Sequence, residues 1–131
     1  MDEDNAEALL LLGKLLIQKK ESAKAAATIS KAIRILEESG NEAKASSFFY
    51  LGQAYEYEKE YQKAIDSFKK CLQREERNFG AAIHLASILQ GLNEIERSHK
   101  YFAMALQIDH NSIAANYAIG KLYQEHHWLA E

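Results

Sequence analysis

Two observations predict an all-α protein made of stacked helix pairs. The first is a pair of short helical patterns near the middle of the chain. Phe48, Leu51, Gly52 and Tyr55 fall at i, i+3, i+4 and i+7, which places them on one face of a helix. A second stripe with helical spacing consists of Tyr61, Ala64, Ile65, Phe68, Cys71 and Leu72. Because only the short charged segment 56–60 separates the two patterns, the helices are expected to fold back antiparallel.

The second observation is an internal repeat of small and bulky residues. The three series are Gly13, Ala25, Ile29 and Ala32; Gly52, Ala64, Phe68 and Cys71; and Ala86, Ser98, Phe102 and Ala105. Gly52, Ala86 and Gly120 are each 34 residues apart, which is the period of a two-helix repeat in a solenoid. The interval from Gly13 to Gly52 is 39 residues. We therefore expect five extra residues at or beside the turn after the second helix, as an extra turn of one or both flanking helices.

These positions give the chain a resemblance to the tetratricopeptide repeat family, from about Ala6 to the end. The family pattern of Leu-Gly, an aromatic residue or Leu, then Ala, Phe and Ala is matched by Leu51, Gly52, Tyr55, Ala64, Phe68 and Cys71. Where the family commonly has tryptophan, this chain has Leu9, Phe48, Ala82 and Asn116. Proline is absent, so the turns are expected to use Asn, Asp and Ser caps. The resemblance implies a right-handed α-α superhelix of about three helix pairs with part of a fourth, and a protein-interaction function without catalysis.

Seven helices are predicted in order along the chain. The first helix runs to about Lys19. The next six run from a Ser22 cap to about Glu38, from an Asn41 cap to near Lys59, from about Glu60 to Gln73, from an Asn78 cap to Gly91, from Asn93 through Gln107, and from Ser112 to about His126. Gly40 and Gly91 are predicted to end their helices, because glycine adopts φ > 0 readily. Trp128 and Leu129 would begin an eighth helix.

The predicted domain organisation is a single repeat domain that belongs to a longer chain. The repeats are expected at residues 6–44, 45–78 and 79–112, with a partial repeat at 113–131. Helix seven resembles the first helix of a repeat, with an inter-helix face formed by Ile119, Gly120 and Tyr123. The partner of that face is cut short at Trp128, Leu129, Ala130 and Glu131. We therefore expect an open C-terminal end that frays or associates with a second copy.

Composition limits the classes of partner and compartment. The chain has 131 residues, of which 47% are hydrophobic and 27% charged, as in soluble globular proteins. A net charge of −3 favours neither nucleic acid nor an anionic membrane surface. No apolar stretch approaches the ~18 residues of a membrane span, and no cleavable leader is recognised. The single cysteine, Cys71, reads as a small buried thiol in a reducing compartment, which favours the cytosol or nucleus.

Motifs for chemistry are missing from the sequence. The five histidines, His84, His99, His110, His126 and His127, lack the spacing of a zinc site. The alternating Glu56, Glu58 and Glu60 surround a helix end and do not converge. There is no phosphate loop and no nucleophile elbow. We predict no catalytic residue, no metal and no cofactor.

The remaining surface predicts a peptide-binding groove on the first helix of each pair. Its residues are Leu10, Lys14, Phe49, Gln53, Tyr57, Ile83, Ser87, Gln90, Tyr117, Lys121 and Gln124. Phe49, Ile83 and Tyr117 are expected to form an exposed apolar strip. The alternative for each of these residues is packing between adjacent repeats.

One ligand class known in the family does not fit these positions. Chaperone-binding members hold a C-terminal carboxylate with lysine, asparagine and arginine from three successive first helices. The matching places hold Leu10 and Lys14, then Tyr50, then Gly80 and His84; one repeat later they hold Phe49 and Gln53, His84, and Ala114 and Ala118. Lys14 alone cannot supply the set of charge-assisted hydrogen bonds. The sequence favours capture of another peptide segment; the alternatives are self-association or docking of neighbouring domains, or a regulatory domain of an enzyme.

Overall fold

The computed structural model describes the backbone of residues 2–126 and the side chains of that range except those of residues 2–4, 114, 123 and 126. Its helices are α1 (Asp2–Gln18), α2 (Ser22–Glu38), α3 (Ala45–Tyr57), α4 (Tyr61–Arg74), α5 (Phe79–Gly91), α6 (Ile95–Ile108) and α7 (Ile113–His126). The seven predicted helices are confirmed, and there is no strand in the described part of the chain.

The chain divides into two compact units, of which the first ends at Glu75 and the second begins at Glu76. In the first unit α1 packs on α2, α2 on α3 and α3 on α4, and α1 also contacts α3. In the second unit α6 packs on both α5 and α7.

Four helices end in the same type of hydrogen-bonded turn, in which one residue adopts the left-handed conformation. These residues are Lys20, Gly40, Lys59 and Asn93, with φ values of 65°, 79°, 61° and 63°. After α3 the Lys59 N–H donates to the Glu56 carbonyl at 3.0 Å, and the Glu60 N–H donates to the Tyr55 carbonyl at 2.9 Å. This pattern of two bonds satisfies carbonyls that a helix end leaves unpaired.

The same turn confirms that α5 ends at Gly91, but it corrects the predicted left-handed role of Gly91 and the predicted start of α6. Gly40 takes the left-handed role that the sequence predicted. After α5 that role belongs to Asn93 and not to Gly91, because α5 runs through Gly91 and turns two residues later. Asn93 therefore precedes α6, which begins at Ile95, and does not open it.

In the second unit the predicted Asn78 cap is confirmed, and Ser112, predicted as the first residue of the seventh helix, is instead its N-cap. The side-chain oxygen of Asn78 accepts a hydrogen bond from the Ala81 N–H at 2.9 Å. The Ser112 hydroxyl oxygen accepts one from the Ala115 N–H at 3.1 Å. Both bonds satisfy a free donor in the first turn of a helix.

Two predicted N-caps in the first unit are wrong. Ser22 lies inside α2, where it is buried, and its hydroxyl donates to a Glu58 carboxylate oxygen at 2.6 Å. Asn41 belongs to the turn that ends α2, since its N–H donates to the Leu36 carbonyl at 2.8 Å. Helix α3 begins only at Ala45. Ser22 thus bonds to a distant helix end, whereas Asn41 bonds within the local turn that ends α2.

The extra residues of the first repeat lie where the sequence placed them. Helix α2 has 17 residues, whereas α4 and α6 have 14 each. The connection 39–44 is two residues longer than 75–78 and 109–112. Three extra residues thus extend α2 and two extend the connection, so the expected helical extension is confirmed on one flanking helix.

Small residues let the helices of each pair in the first unit approach closely. A Cβ atom on Gly52 would lie 2.8 Å from the ring of Phe68, and one on Gly13 would collide with the side chain of Ile29. Ala64, Ile29 and Phe68 are fully buried. Gly52 is therefore a close contact between α3 and α4, because no larger residue fits without moving the Phe68 ring.

The second unit has a core of its own. Ala86, Phe102, Ile119 and Leu122 are buried together. Ser98 replaces the alanine found at this place in the other repeats, and its hydroxyl donates to the Ala86 carbonyl at 2.7 Å. That bond satisfies the buried hydroxyl.

The predicted open end is only partly described. Ile119 packs in the core as expected, but Gly120 is exposed, and a Cβ built on it meets nothing within 4 Å. Gly120 therefore contributes no close helix contact within residues 2–126. The side chain of Tyr123 and residues Trp128, Leu129, Ala130 and Glu131 lie outside the described residues, so the open end stays a prediction.

Candidate functional site

In the first unit, the predicted groove residues range from half-buried to exposed. Leu10, Lys14, Phe49 and Gln53 are half-buried, and Tyr57 is 63% exposed. The ring of Phe49 packs edge-on against two neighbours, with centroids 5.7 Å from Phe68 and 5.6 Å from Tyr50. Phe49 was expected in an exposed apolar strip, but it is only half exposed, because part of its ring packs against the buried Phe68.

In the second unit, Ile83 departs from its expected exposure. It is half-buried and packs against the core of α5, α6 and α7, as the alternative of inter-repeat packing describes. Tyr117 is 71% exposed, as expected for a surface contact residue. Gln90 is half-buried, and the exposed remainder of the set is Ser87, Lys121 and Gln124. Lys121 forms an ion pair with Glu125 at 3.9 Å.

A cleft of about 380 Å³ opens in the first unit between α1, the start of α3 and the connection 39–44. Leu10, Leu11 and Leu36 supply its apolar wall, and Tyr50 closes one side. Leu11 is 58% exposed, so part of this wall faces solvent. The size and mixed lining match those of sites that hold a small group or a peptide side chain.

Charges around the cleft are balanced. Lys14 and Lys44 line it together with Glu7 and Glu42. The Lys14 ammonium lies 4.9 Å from the centroid of the Tyr50 ring, which is the geometry of a cation–π contact. That contact holds the long Lys14 side chain along the wall. Because the lining has as many carboxylates as ammonium groups, the cleft has no net charge that would select an anion or a cation.

One polar atom in the cleft has no partner. Ser47 lines it and is only 2% exposed, and its hydroxyl makes no hydrogen bond within the described structure. Burying a hydroxyl without a hydrogen bond costs about 1–3 kcal/mol. Buried unsatisfied groups are uncommon in native proteins and call for an explanation in each case.

Of the predicted groove residues, the cleft brings together Leu10 and Lys14. Sequence reasoning missed Leu36, Ser47 and Tyr50. Leu36 was detectable in principle, because it is the first of the three residues by which α2 exceeds α4. Burial of Ser47 was detectable as well, because Ala81 and Ala115 stand at the same place of the repeat, 34 and 68 residues further on, and both are fully buried.

The described residues show no arrangement for metal chemistry. Within residues 2–126 no three His, Cys, Asp or Glu side chains come together in a way that could hold an ion. Burial raises the pKa of the Cys71 thiol to about 11, and the nearby Glu75 carboxylate adds to the rise. A thiol with a raised pKa is a poor nucleophile. In the same range no helix is long and apolar enough to cross a membrane.

The repeats match models of a known protein family. Two tetratricopeptide repeat models match, one over residues 4–77 and the other over residues 57–122. The chain therefore belongs to the tetratricopeptide repeat family. Among curated proteins no match was found.

Solved structures share the fold. The crystal structure of MamA aligns with a TM-score of 0.86 and 22% identity, over 92% of this chain and 68% of that one. The Arabidopsis OM64 TPR domain aligns with a TM-score of 0.85 and 18% identity, over 95% and 99%. The first TPR of Spaghetti (RPAP3), bound to the HSP90 peptide SRMEEVD, aligns with a TM-score of 0.84 and 16% identity, over 100% and 98%. These likenesses show the tetratricopeptide repeat solenoid fold.

Proposed function

We propose that this protein is a non-catalytic interaction module that binds a peptide segment of a partner protein on the predicted groove. The observation that carries the proposal is the cleft between α1 and α3. Its apolar wall is formed by Leu10, Leu11 and Leu36, and it includes Leu10 and Lys14, which the repeat pattern assigns to the ligand face. The peptide complex of the Spaghetti (RPAP3) repeat supports the proposal, because it shows that this fold accommodates a peptide.

The residues favour a ligand other than a chaperone tail. A terminal carboxylate needs several convergent donors, and the matching positions offer Lys14, Tyr50 and His84. Lys14 lies over the Tyr50 ring, beside as many carboxylates as ammonium groups. We therefore propose an internal peptide segment as the ligand. The free, buried thiol of Cys71 suits the reducing cytosol or nucleus as the place of this binding.

Self-association is the second candidate function. Leu12 and Leu15 on α1 are 46% and 52% exposed, and neither lines the cleft. Exposed apolar side chains close together on one helix are typical of interaction surfaces. A second copy of the chain, or a neighbouring domain, would bury them.

Selection of displayed random peptides on the immobilised chain tests the proposal. Selected peptides should bind the 131-residue chain with a dissociation constant of roughly micromolar, because association costs consume much of the apolar gain. Sedimentation at several concentrations without peptide tests the second candidate. Failure to select any binding peptide, together with concentration-dependent dimers, would replace the proposed function by self-association.

A further inference from the structure

Helix α1 exposes an apolar stripe at positions that are buried in the first helices of the later repeats. The stripe consists of Ala8, Leu12 and Leu15, which share one helix face, and all three are exposed. The repeat intervals of 39 and 34 residues place Ser47, Leu51 and Ala54 of α3 and Ala81, Leu85 and Ile88 of α5 at the same positions. Every one of these corresponding residues is buried. The stripe on α1 therefore has the composition of a helix-packing surface, but no helix covers it within the described residues.

Helix α7 shows what kind of element covers these positions. Its corresponding residues are Ala115, Ile119 and Leu122, and all three are buried. Ala115 lies in a cluster with Ala105 of α6, and Ile119 and Leu122 lie in a cluster with Phe102 of α6. In the first unit α2 packs on α3 in the corresponding place of the repeat. The occupant that fits the stripe on α1 is therefore another α-helix, lying along it.

The charges along α1 favour a second copy of the same helix as that occupant. Four of the residues 2–7, at the start of α1, are Asp or Glu, and two lysines follow its last residue, at positions 19 and 20. Two antiparallel copies of α1 would place the acidic start of each helix beside the basic end of the other. A parallel pair would place like charges together.

We propose that the stripe of Ala8, Leu12 and Leu15 binds the same stripe of a second copy of the chain, with the two α1 helices antiparallel. Such a contact uses one surface twice about a two-fold axis, so it closes at a dimer. One pair of helices buries less than the about 800 Å² per partner of a standard interface, so a dissociation constant of roughly 100 micromolar is expected. This inference gives the second candidate function a surface and a geometry, and it does not depend on peptide binding.

Sedimentation equilibrium of the full chain, from roughly 10 micromolar to 1 millimolar, tests the stripe. Leu15→Glu should weaken the dimer at least about tenfold, because it brings a charge into an apolar contact. Leu12→Ala adds no charge and should weaken the dimer about fivefold, which separates loss of contact from any effect of Leu15→Glu on folding. Ile113→Glu, at a residue of α7 that is 84% exposed, is the matched control and should leave the dimer within about twofold.

A charge exchange tests the antiparallel orientation. Glu7 and Lys19 are both exposed near opposite ends of α1. Glu7→Lys and Lys19→Glu should each weaken the dimer about fivefold, because each variant places like charges together at both ends of an antiparallel pair. An equimolar mixture of the two variants should associate within about twofold of the unaltered chain, since the mixed dimer restores opposite charges at both ends. In a parallel pair neither variant alone would weaken association.

Three results would overturn the proposal: a chain that stays monomeric at 1 millimolar, a dimer that Leu15→Glu and Leu12→Ala leave unchanged, or a mixture of the two charge variants that associates no more tightly than either alone. Failure of the proposed function is measured separately. Leu15 belongs neither to the predicted groove nor to the cleft, so Leu15→Glu should bind a selected peptide within about twofold of the unaltered chain. Failure to select any peptide would remove the proposed function, and dimers that depend on Leu12 and Leu15 would still support the surface on α1.

Discussion

Replacement of Gly52 by alanine tests the close contact between α3 and α4. Alanine is favoured over glycine in a helix interior by about 1 kcal/mol. At Gly52 the added Cβ would lie 2.8 Å from two carbon atoms of the Phe68 ring. That ring is fully buried and packs on Phe49 at 5.7 Å, so it has little room to move. Overpacking of this kind costs about 1–3 kcal/mol. The net expectation is a loss of about 1 kcal/mol in unfolding free energy.

Gly120→Ala is the matched control for this substitution. Gly120 also lies within a helix, but a Cβ built there meets nothing within 4 Å. Only the propensity gain of about 1 kcal/mol remains, so this variant should be more stable than the unaltered chain. Gly52→Ala should thus lower the unfolding free energy and Gly120→Ala should raise it, so that the two variants differ by about 2 kcal/mol.

Urea unfolding followed by circular dichroism measures both variants, and hydrogen exchange of the α3 amides locates the effect. Because repeats interact mainly with their neighbours, the loss at Gly52 should appear first in the first unit. Combining Gly52→Ala with Phe68→Leu should recover part of the loss, with a coupling energy of about 0.5–3 kcal/mol. Equal stabilisation by Gly52→Ala and Gly120→Ala would refute the close contact and the repeat register derived from it.

Three further predictions concern a turn, two serines and the thiol. Lys59→Gly should raise the unfolding free energy by about 0.5–1 kcal/mol, because φ at Lys59 is 61°; a lower value in urea unfolding would contradict this account of the turn. Ser98→Ala should lower the unfolding free energy by about 1 kcal/mol through loss of its 2.7 Å hydrogen bond, whereas Ser47→Ala should leave it unchanged or raise it; equal losses would show that Ser47 has a partner after all. The raised pKa of Cys71 means that the folded chain keeps a proton that the unfolded chain releases, so stability should fall as pH rises from about 9 to about 11. Cys71→Ala should remove that part of the alkaline loss when both chains are unfolded in urea across this pH range, and identical pH profiles would contradict the buried, protonated thiol.

Much of the fold could be predicted from the sequence, because small and bulky side chains recur at fixed spacing along the chain. Gly52, Ala64 and Phe68 can occupy their places in only one packing arrangement, and their spacing recurs along the chain. The five-residue insertion was also placed at the correct turn, since Ala25, Ile29 and Ala32 keep the usual offsets from Gly13 and leave the extra residues after Ala32. Helix ends were less predictable, because Ser22 bonds to Glu58, which only the folded chain brings near, and Asn41 takes part in the turn that ends α2 instead of capping α3.

The candidate site was predictable only in part. Periodicity assigned Leu10 and Lys14 to the ligand face, and both line the cleft. It also assigned Ile83, which packs against the core of its unit, because periodicity cannot show how far a neighbouring helix covers a side chain. The burial of Ser47 follows from the repeat, since Ala81 and Ala115 are buried at the same place, but its missing hydrogen-bond partner is visible only in the structure.

The groove is tested most directly by the affinity of a selected peptide for three tyrosine variants. Tyr57 and Tyr117 are predicted groove residues that are 63% and 71% exposed, so their removal should leave the core intact. Tyr61, 37% exposed on α4, lies outside the predicted groove and is the control.

Isothermal titration should show that Tyr57→Ala and Tyr117→Ala each weaken peptide binding by about tenfold or more, as expected for loss of an aromatic contact worth about 1.5–3 kcal/mol. Tyr61→Ala should remain within about twofold of the unaltered chain. Unchanged affinity in the first two variants, or a larger loss in Tyr61→Ala, would contradict peptide binding on the first helices of the repeats.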